Sequence, residues 1–284
     1  MTHAMLVAMS LIWGVNFSVM KLATGAMNPL AFNASRVALA AAALLVAARL
    51  TRAPRPSARH VVMLLALGVL GCGFYQLFFI EGLSRTRAGN AALVQAGGPA
   101  YIALIGWAMG IERIAWRGWA GIALSLAGMS LVVFGKTGTH ASASTLSGNL
   151  LVALASLCWA VFAVLMKRYA AGINPVQVAA LTMLGGSIPL LLHAAPAMAG
   201  TNWASVSTFG WLAIVYSGLG SLVVAYLFWY RGVRVLGPTR TAMYSNLQPV
   251  IALLIAWPTL REVPTPWQLA GTATIVAGVL LTQQ

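Results

Sequence analysis

The sequence predicts an all-α polytopic membrane protein, with ten transmembrane helices arranged as two inverted five-helix repeats around a central cavity. Two observations support this fold class. First, 60% of the 284 residues are apolar and only 7% are charged, and the mean hydropathy is +0.87; soluble domains are not built from such a composition. Second, the chain repeats itself, because the stretch WGVNFSVMKLATGAMNP starting at Trp13 returns as WAVFAVLMKRYAAGINP starting at Trp159.

Ten apolar segments lie between short stretches that are rich in Pro, Gly or charge. A spanning helix needs about 20 mostly apolar residues, and each segment approaches that length. The first segment has no Lys or Arg before it and no clear cleavage site, so we interpret it as a helix and not as a signal peptide. The predicted segments are 4–24, 30–50, 61–83, 87–110, 117–135, 148–170, 175–194, 208–231, 239–260 and 266–282.

The distribution of cations predicts the orientation. With the N-terminus in the cytoplasm, eleven of the 17 Lys and Arg residues fall on the cytoplasmic side and six on the other. Because positive loops stay inside, we predict that both termini are cytoplasmic. The net charge of +14 is then explained by topology and by contact with anionic lipid, and it does not indicate a nucleic-acid partner.

The two halves correspond residue by residue. An offset of 146 pairs Trp13 with Trp159 and the Asn-Pro at 28–29 with that at 174–175; further on, an offset of 150 pairs Glu112 with Glu262. We predict a first repeat at 1–143 and a second at 144–284. Five helices are an odd number, so the second repeat must insert upside down. Inverted repeats supply two similar conformations that open to opposite sides, which indicates a transporter.

These features resemble a known family. The five-plus-five plan, the early WGVNF followed by Asn-Pro, and AGNAALVQAGGPAYIAL at 88–104 look like the drug/metabolite transporter superfamily, EamA type, over essentially the whole chain. Within it the chain is most similar to the YddG-type inner-membrane aromatic amino-acid exporters. The resemblance implies that helices one to four and six to nine surround the cavity, that helices five and ten pack outside, and that the protein lies in the bacterial inner membrane.

Aromatic and amide side chains at mid-segment positions are the candidates for the cavity wall. In the first helix Trp13, Asn16 and Phe17 share one stripe at helical spacing. Core packing is the alternative for each aromatic residue. The predicted substrate-binding residues are Trp13, Asn16, Phe17, Tyr75, Phe79, Asn90, Gln95, Tyr101, Trp159, Phe162, Tyr226, Tyr230, Tyr244 and Gln248.

Two prolines occupy corresponding positions in the two halves. Pro99 and Pro249 each interrupt a helix near mid-membrane and free the carbonyl four residues earlier, that of Gln95 or Ser245. Symmetric helix breaks are typical of transporter binding sites, so we predict a gating role for both prolines. A tolerated kink is the alternative.

Acidic residues are scarce, and this limits the mechanism. Glu81, Glu112 and Glu262 are the only acids, and all three lie near predicted segment ends. The sequence therefore offers few acidic residues from which a carboxylate proton relay or a sodium site could be built. The sequence also has no paired acids, no metal-ligand spacing and no Ser or Cys beside a plausible base, so we predict neither an enzyme nor a cofactor or metal.

The sequence therefore predicts an alternating-access carrier without an ion-coupling carboxylate. It would export small amphipathic metabolites, above all aromatic and other large amino acids, whose side chains suit aromatic walls. The alternative is a proton-coupled drug/metabolite exporter of broad specificity. The expected partners are the substrate and the lipid bilayer, and a monomer is expected to suffice for transport.

Overall fold

A computed structural model describes most of the chain, and the described residues are 1–51, 53–110, 115–134, 143–236, 241, 244–245 and 247–282. All regular secondary structure in these ranges is helical, and apart from a short 3₁₀ helix at Trp203–Ser205 it forms ten longer segments. We number them α1 Thr2–Ala26, α2 Pro29–Leu50, α3 Ala58–Arg85, α4 Ala88–Ala108, α5 Trp116–Phe134, α6 Ala143–Tyr169, α7 Pro175–Ala199, α8 Thr208–Leu236, α9 Leu247–Leu260 and α10 Pro266–Thr282.

Each helix overlaps one predicted segment, and most boundaries differ by a few residues. The largest difference concerns α9, which is described from Leu247, although Thr241, Tyr244 and Ser245 are helical as well. Among the described residues, seven helices are long and apolar enough to cross a membrane, and α5, α9 and α10 do not belong to that group. The prediction of an all-helical polytopic membrane protein is confirmed at this level.

The repeated Asn-Pro pair produces the same helix start in both halves. Asn28 Oδ1 accepts a hydrogen bond from the backbone N of Leu30 at 2.9 Å, and Asn174 Oδ1 accepts one from the backbone N of Val176, also at 2.9 Å. Proline then occupies the first helical position, where a missing N–H costs nothing. The two starts lie at opposite ends of the bundle, because α2 and α7 run antiparallel.

α3 and α8 each contain a π-helical stretch. These stretches are Val69–Phe74 and Tyr216–Val224, and the first maps onto the second with the offset of 150. A π-helical turn widens the helix and interrupts the regular hydrogen-bond ladder, which is common at functional sites. Both α3 and α8 therefore depart from the α-helix where they pass the centre of the bundle.

Close helix contacts recur with the halves exchanged. A Cβ at Gly68 of α3 would lie 2.0 Å from the carbonyl oxygen of Thr182 in α7. The residue 150 positions after Gly68 is Gly218 of α8, whose Cβ would lie 3.0 Å from the carbonyl oxygen of Arg36 in α2. Arg36 is in turn the counterpart of Thr182 at the offset of 146. The contact between α3 and α7 at Gly68 and Thr182 is thus repeated between α8 and α2 at Gly218 and Arg36.

α5 and α10 pack mainly against each other. A Cβ at Gly128 would lie 2.9 Å from the carbonyl oxygen of Gly271, and a Cβ at Gly278 would lie 2.6 Å from that of Gly121. The contacts run antiparallel, since the earlier glycine of each helix meets the later one of its partner. The described residues of α5 and α10 do not contribute to the central cavity, so α1–α4, α6, α8 and α9 position the site.

Candidate substrate-binding site

A central cavity of about 90 Å³ lies between two buried apolar clusters. One cluster includes Phe17 and Phe79, and the other includes Phe162 and Tyr226. Side chains of seven helices border the cavity, and most of the residues predicted from the sequence are among them. Those predicted residues are Trp13, Asn16, Phe17, Tyr75, Phe79, Gln95, Pro99, Trp159, Tyr226 and Gln248.

Three predicted polar residues lie in helix interfaces instead. Asn90 is fully buried, and its Oδ1 accepts a hydrogen bond of 2.7 Å from Gln268 Nε2, which joins α4 to α10. The Tyr244 hydroxyl contacts the ring of His3 near the start of α1. Tyr101 packs at the edge of the cluster around Phe17. These side chains have interface partners of their own, which explains their position away from the cavity.

The remaining predicted residues border other spaces. Phe162 and Tyr230 line a second, larger opening, described below. Pro249 lies beside Leu93 and Ala96 in a small crevice between α4, α9 and α10. The break in α4 falls at Gly97, two residues before Pro99, which borders the cavity. The two prolines therefore differ in position although they correspond in sequence.

Four aromatic residues, Trp13, Trp159, Tyr226 and Trp229, form a cluster on the cavity wall, which we call the aromatic cluster. The Trp13 ring centroid lies 6.4 Å from that of Trp159 and 5.8 Å from that of Tyr226, and both pairs are edge to face. Trp229 lies 6.0 Å from Trp13 and 5.8 Å from Trp159. Each such pair contributes about 0.5–1.5 kcal/mol beyond apolar burial. Sequence reasoning missed Trp229, although its position three residues after Tyr226 puts both on one helix face.

The π-helical stretch of α8 holds the aromatic cluster in place. Trp13 Nε1 donates a hydrogen bond of 3.0 Å to the carbonyl oxygen of Ser221, which lies in that stretch. In the opposite direction the Tyr216 hydroxyl donates one of 2.9 Å to the carbonyl oxygen of Ile12. The indole N–H is thus satisfied without a ligand, and the ring orientation of Trp13 is set by α8.

Neutral amides supply part of the polar surface. Asn16 Oδ1 accepts a hydrogen bond of 2.7 Å from Ser217 Oγ, and Gln95 Nε2 donates one of 3.0 Å to the Tyr75 hydroxyl. Both bonds connect different helices, α1 to α8 and α4 to α3. The cavity therefore combines large aromatic faces with a few oriented polar groups, as small-molecule sites do.

Arg36 borders the same cavity and was not among the predicted site residues. Arg36 is 1% exposed, and its guanidinium lies 5.8 Å from the ring centroid of Phe32. Nε donates to Asn33 Oδ1 at 2.9 Å and Nη2 donates to Gln76 Oε1 at 2.6 Å. Both acceptors are neutral amides. A signal was present in the sequence, because Asn33 precedes Arg36 by one helical turn and this is a rare cation inside an apolar segment.

Polar contacts join several helices at the end of the bundle where Glu262 lies. The Glu262 carboxylate accepts hydrogen bonds from the backbone N of Ala88 at 3.1 Å and of Gly89 at 3.2 Å, at the start of α4. Arg87 Nε lies 3.9 Å from the same carboxylate. Nearby, the Lys21 ammonium donates to the last carbonyls of α3 at 2.9 and 3.0 Å. A carboxylate of the second half thus caps a helix of the first half.

A wide vestibule of about 900 Å³ occupies the opposite end, where α1 begins. It is bordered by residues 53–56, by the end of α6, by the start of α7 and by the end of α8. Trp229 borders both the vestibule and the central cavity. Trp229 of the aromatic cluster therefore lies between the cavity and the vestibule.

Neither Glu81 nor Glu262, the acidic residues in the described part of the chain, borders the cavity. Glu81 pairs with Arg85 on its own helix at 2.5 Å, and Glu262 is engaged as above. Glu112 and the side chain of Lys167 lie outside the described residues. Across the described ranges, no group of three or more His, Cys, Asp or Glu side chains could hold a metal ion.

Apolar helices that pack around an aromatic cavity define a polytopic membrane protein with a candidate solute site. The family comparison agrees, because the model of the EamA-like transporter family matches residues 1–134 and residues 146–283. The chain belongs to this family and is a membrane transporter of it. The homologues are transporters as well, which favours transport over catalysis.

Similar proteins span nearly the whole chain. YyaM of Bacillus subtilis, an uncharacterized transporter, is 27% identical over 98% of this chain and 92% of its own. A probable terminal-alkyne amino-acid exporter of Streptantibioticus cattleyicolor is 28% identical over 95% and 89%. A crystal structure superposes with a TM-score of 0.67 at 22% identity, covering 97% of this chain and 94% of that one, and it supports the fold.

Proposed function

We propose that the protein is an alternating-access carrier that exports amino acids with aromatic or other large apolar side chains. The observation that carries this proposal is the aromatic cluster, which stands beside oriented neutral amides in a cavity enclosed by seven helices. Such walls suit a large side chain, and amides suit an amino acid backbone without requiring a second buried charge.

The exchanged helix contacts support two inverted repeats, 1–143 and 144–284. Gly68 with Thr182 and Gly218 with Arg36 are the same contact under the two sequence offsets. The antiparallel α5–α10 pair is what a two-fold axis in the membrane plane would generate. Two similar halves in opposite orientation can exchange conformations, and this exchange opens the cavity to each side in turn.

The vestibule indicates which side is open. It lies at the end that carries most Lys and Arg, including Arg55 and Arg234, and such an end faces the cytoplasm. We propose that both termini are cytoplasmic, in an inner membrane. We also propose that the conformation is open toward the cytoplasm and that Glu262 helps to close the opposite, periplasmic end. Reporter fusions to either terminus test this, and activity of a periplasm-specific reporter at either position would contradict it.

The substrate class has support from one relative as well. The exporter of Streptantibioticus cattleyicolor is named for amino acids, and the aromatic walls of this chain extend that likeness toward YddG-type specificity. The cavity is formed within one chain, so a monomer suffices in this proposal. Transport follows the substrate gradient, because neither described acid borders the cavity. The proton-coupled alternative requires a titrating group there.

Counterflow in proteoliposomes tests the function. Liposomes loaded with unlabelled phenylalanine should take up labelled phenylalanine, and aromatic and large aliphatic amino acids should compete, while glycine, aspartate and lysine should not. Liposomes without protein are the control. Absence of counterflow with any large amino acid would overturn the proposal, and equal competition by glycine would overturn its substrate class.

A further inference from the structure

We infer that Arg36, held by Asn33 and Gln76, forms a carboxylate-binding subsite of the central cavity. This inference rests on the proposed function, because it assigns one part of the substrate to one part of the same cavity. It also widens the substrate class: the recognised molecules are monocarboxylates that carry a large apolar group, and the amino group is dispensable.

Arg36 has no acidic counter-charge among the described residues. Arg36 is 1% exposed and lies within the membrane-spanning range Pro29–Leu50. A buried charge in this environment is costly unless it is paired. In the described part of the chain the ion pairs are those of Arg85 with Glu81 and of Arg87 with Glu262, and both described acids are engaged there. A carboxylate arriving with the substrate would supply the missing partner.

Hydrogen bonds fix the orientation of the Arg36 guanidinium. Asn33 and Gln76 accept from Nε and Nη2, and Asn33 Nδ2 donates to the backbone oxygen of Gln76 at 3.1 Å. The three side chains thus tie α2 to α3 and hold the planar group at the cavity wall. A guanidinium pairs with a carboxylate through parallel N–H···O bonds, and a pre-oriented one loses less entropy when it does so.

The ammonium of an amino acid has no anionic partner in this cavity. The lining contains no Asp or Glu among the described residues, so the ammonium meets aromatic faces, neutral dipoles and the cation of Arg36. A deaminated carboxylate would neutralise Arg36, whereas an amine without a carboxylate would add a second positive charge to the site. The expected order of affinity is therefore hydrocinnamate at least equal to phenylalanine, and both far above phenethylamine.

In a purely structural role, Arg36 would only link α2 to α3 through its hydrogen bonds. Gln76→Glu separates the two roles, because glutamate keeps the side-chain length of Gln76 and still accepts from Nη2. Gln76→Glu therefore retains the link between α2 and α3, but the Arg36 cation now has a carboxylate partner within the protein. Arg36→Gln is the second variant, since it removes the charge and keeps a donor for Gln76. Arg85→Gln is the matched control, because the Arg85 side chain is 47% exposed and outside the cavity.

The test measures thermal stabilisation of the purified protein by hydrocinnamate, phenylalanine and phenethylamine, together with their competition against labelled phenylalanine in proteoliposomes. Hydrocinnamate should stabilise the native protein and R85Q, and its affinity should fall at least about tenfold in Q76E and in R36Q. Phenethylamine should not compete in the native protein and should gain affinity in Q76E.

Failure of this inference is distinguishable from failure of the proposed function. Unchanged hydrocinnamate affinity in Q76E or R36Q, or phenethylamine binding as tightly as hydrocinnamate to the native protein, overturns the subsite and leaves phenylalanine counterflow intact. The opposite outcome is a protein that shows no amino-acid counterflow but is stabilised by hydrocinnamate, with the stabilisation lost in Q76E and in R36Q. That result supports the subsite and overturns the proposed function.

Discussion

The indole rings of Trp13 and Trp159 meet edge to face at the central cavity, with centroids 6.4 Å apart and ring planes at 88°. The two residues begin the repeated stretch of each half and are related by the offset of 146. The duplication therefore brings its two corresponding tryptophans together on the cavity wall. Both also contact Tyr226, so one substitution at this point changes several ring contacts at once.

Replacing Trp159 by Ala should weaken phenylalanine binding by about tenfold or more, because it removes a cavity wall and its edge-to-face contacts. Trp159→Phe should retain most of the affinity. Competition in proteoliposomes measures both. Trp211→Ala is the matched control, since Trp211 is 46% exposed and packs only on Trp203 among the aromatic side chains described. Equal loss in W159A and W211A would contradict a binding role.

Replacing Gly68 by Ala should destabilise the fold, because the new Cβ would lie 2.0 Å from the backbone oxygen of Thr182. Backbone atoms cannot move aside as a flexible side chain does, and such overpacking costs about 1–3 kcal/mol. Thermal denaturation in detergent measures the loss. Gly25→Ala is the control, since nothing lies within 4 Å of its Cβ. A melting temperature of G68A equal to that of G25A would show that α3 and α7 do not approach this closely.

Replacing Glu262 by Gln should loosen the closed end of the bundle. The substitution removes the ion pair with Arg87 and weakens the charge-assisted bonds to the start of α4. Ser156 borders the central cavity. A cysteine at this position, in a background without Cys72 and Cys158, should then react several-fold faster with an impermeant maleimide added at the Glu262 side.

Glu81→Gln is the control for this labelling experiment. Its carboxylate pairs with Arg85 on the same helix, so its loss leaves the contact between the halves in place. Equal labelling rates in E262Q and E81Q would mean that Glu262 does not keep this end closed.

Transport should continue when the proton gradient is collapsed and sodium is removed. Neither described acid lies at the cavity, so the carrier should only equilibrate its substrate. Phenylalanine uptake in proteoliposomes, with and without an ionophore, measures this. Glu112→Gln should leave the gradient dependence unchanged; accumulation driven by either ion and abolished in E112Q would identify Glu112 as a coupling residue.

The sequence by itself determined the helical class, the number of membrane segments and ten of the residues that border the cavity. Composition determined that the helices lie in a lipid bilayer, because a chain that is 60% apolar and 7% charged cannot remain stable in water. Helical spacing put Trp13, Asn16 and Phe17 on one stripe, and their side chains do reach one cavity. The Asn-Pro pairs likewise determined where α2 and α7 begin, because capping is a local interaction.

Only the tertiary structure decided which polar residues meet. Asn90 looks like a cavity residue on its own helix, but Gln268, 178 positions away in sequence, donates a hydrogen bond to its side-chain oxygen. Arg36 is a rare cation inside an apolar segment of the sequence, but only the tertiary structure shows that α3 brings Gln76 against it and that its side chain borders the cavity. The physical reason is that local patterns set the faces of a helix, whereas the partner of a buried polar group depends on helix contacts between distant parts of the chain.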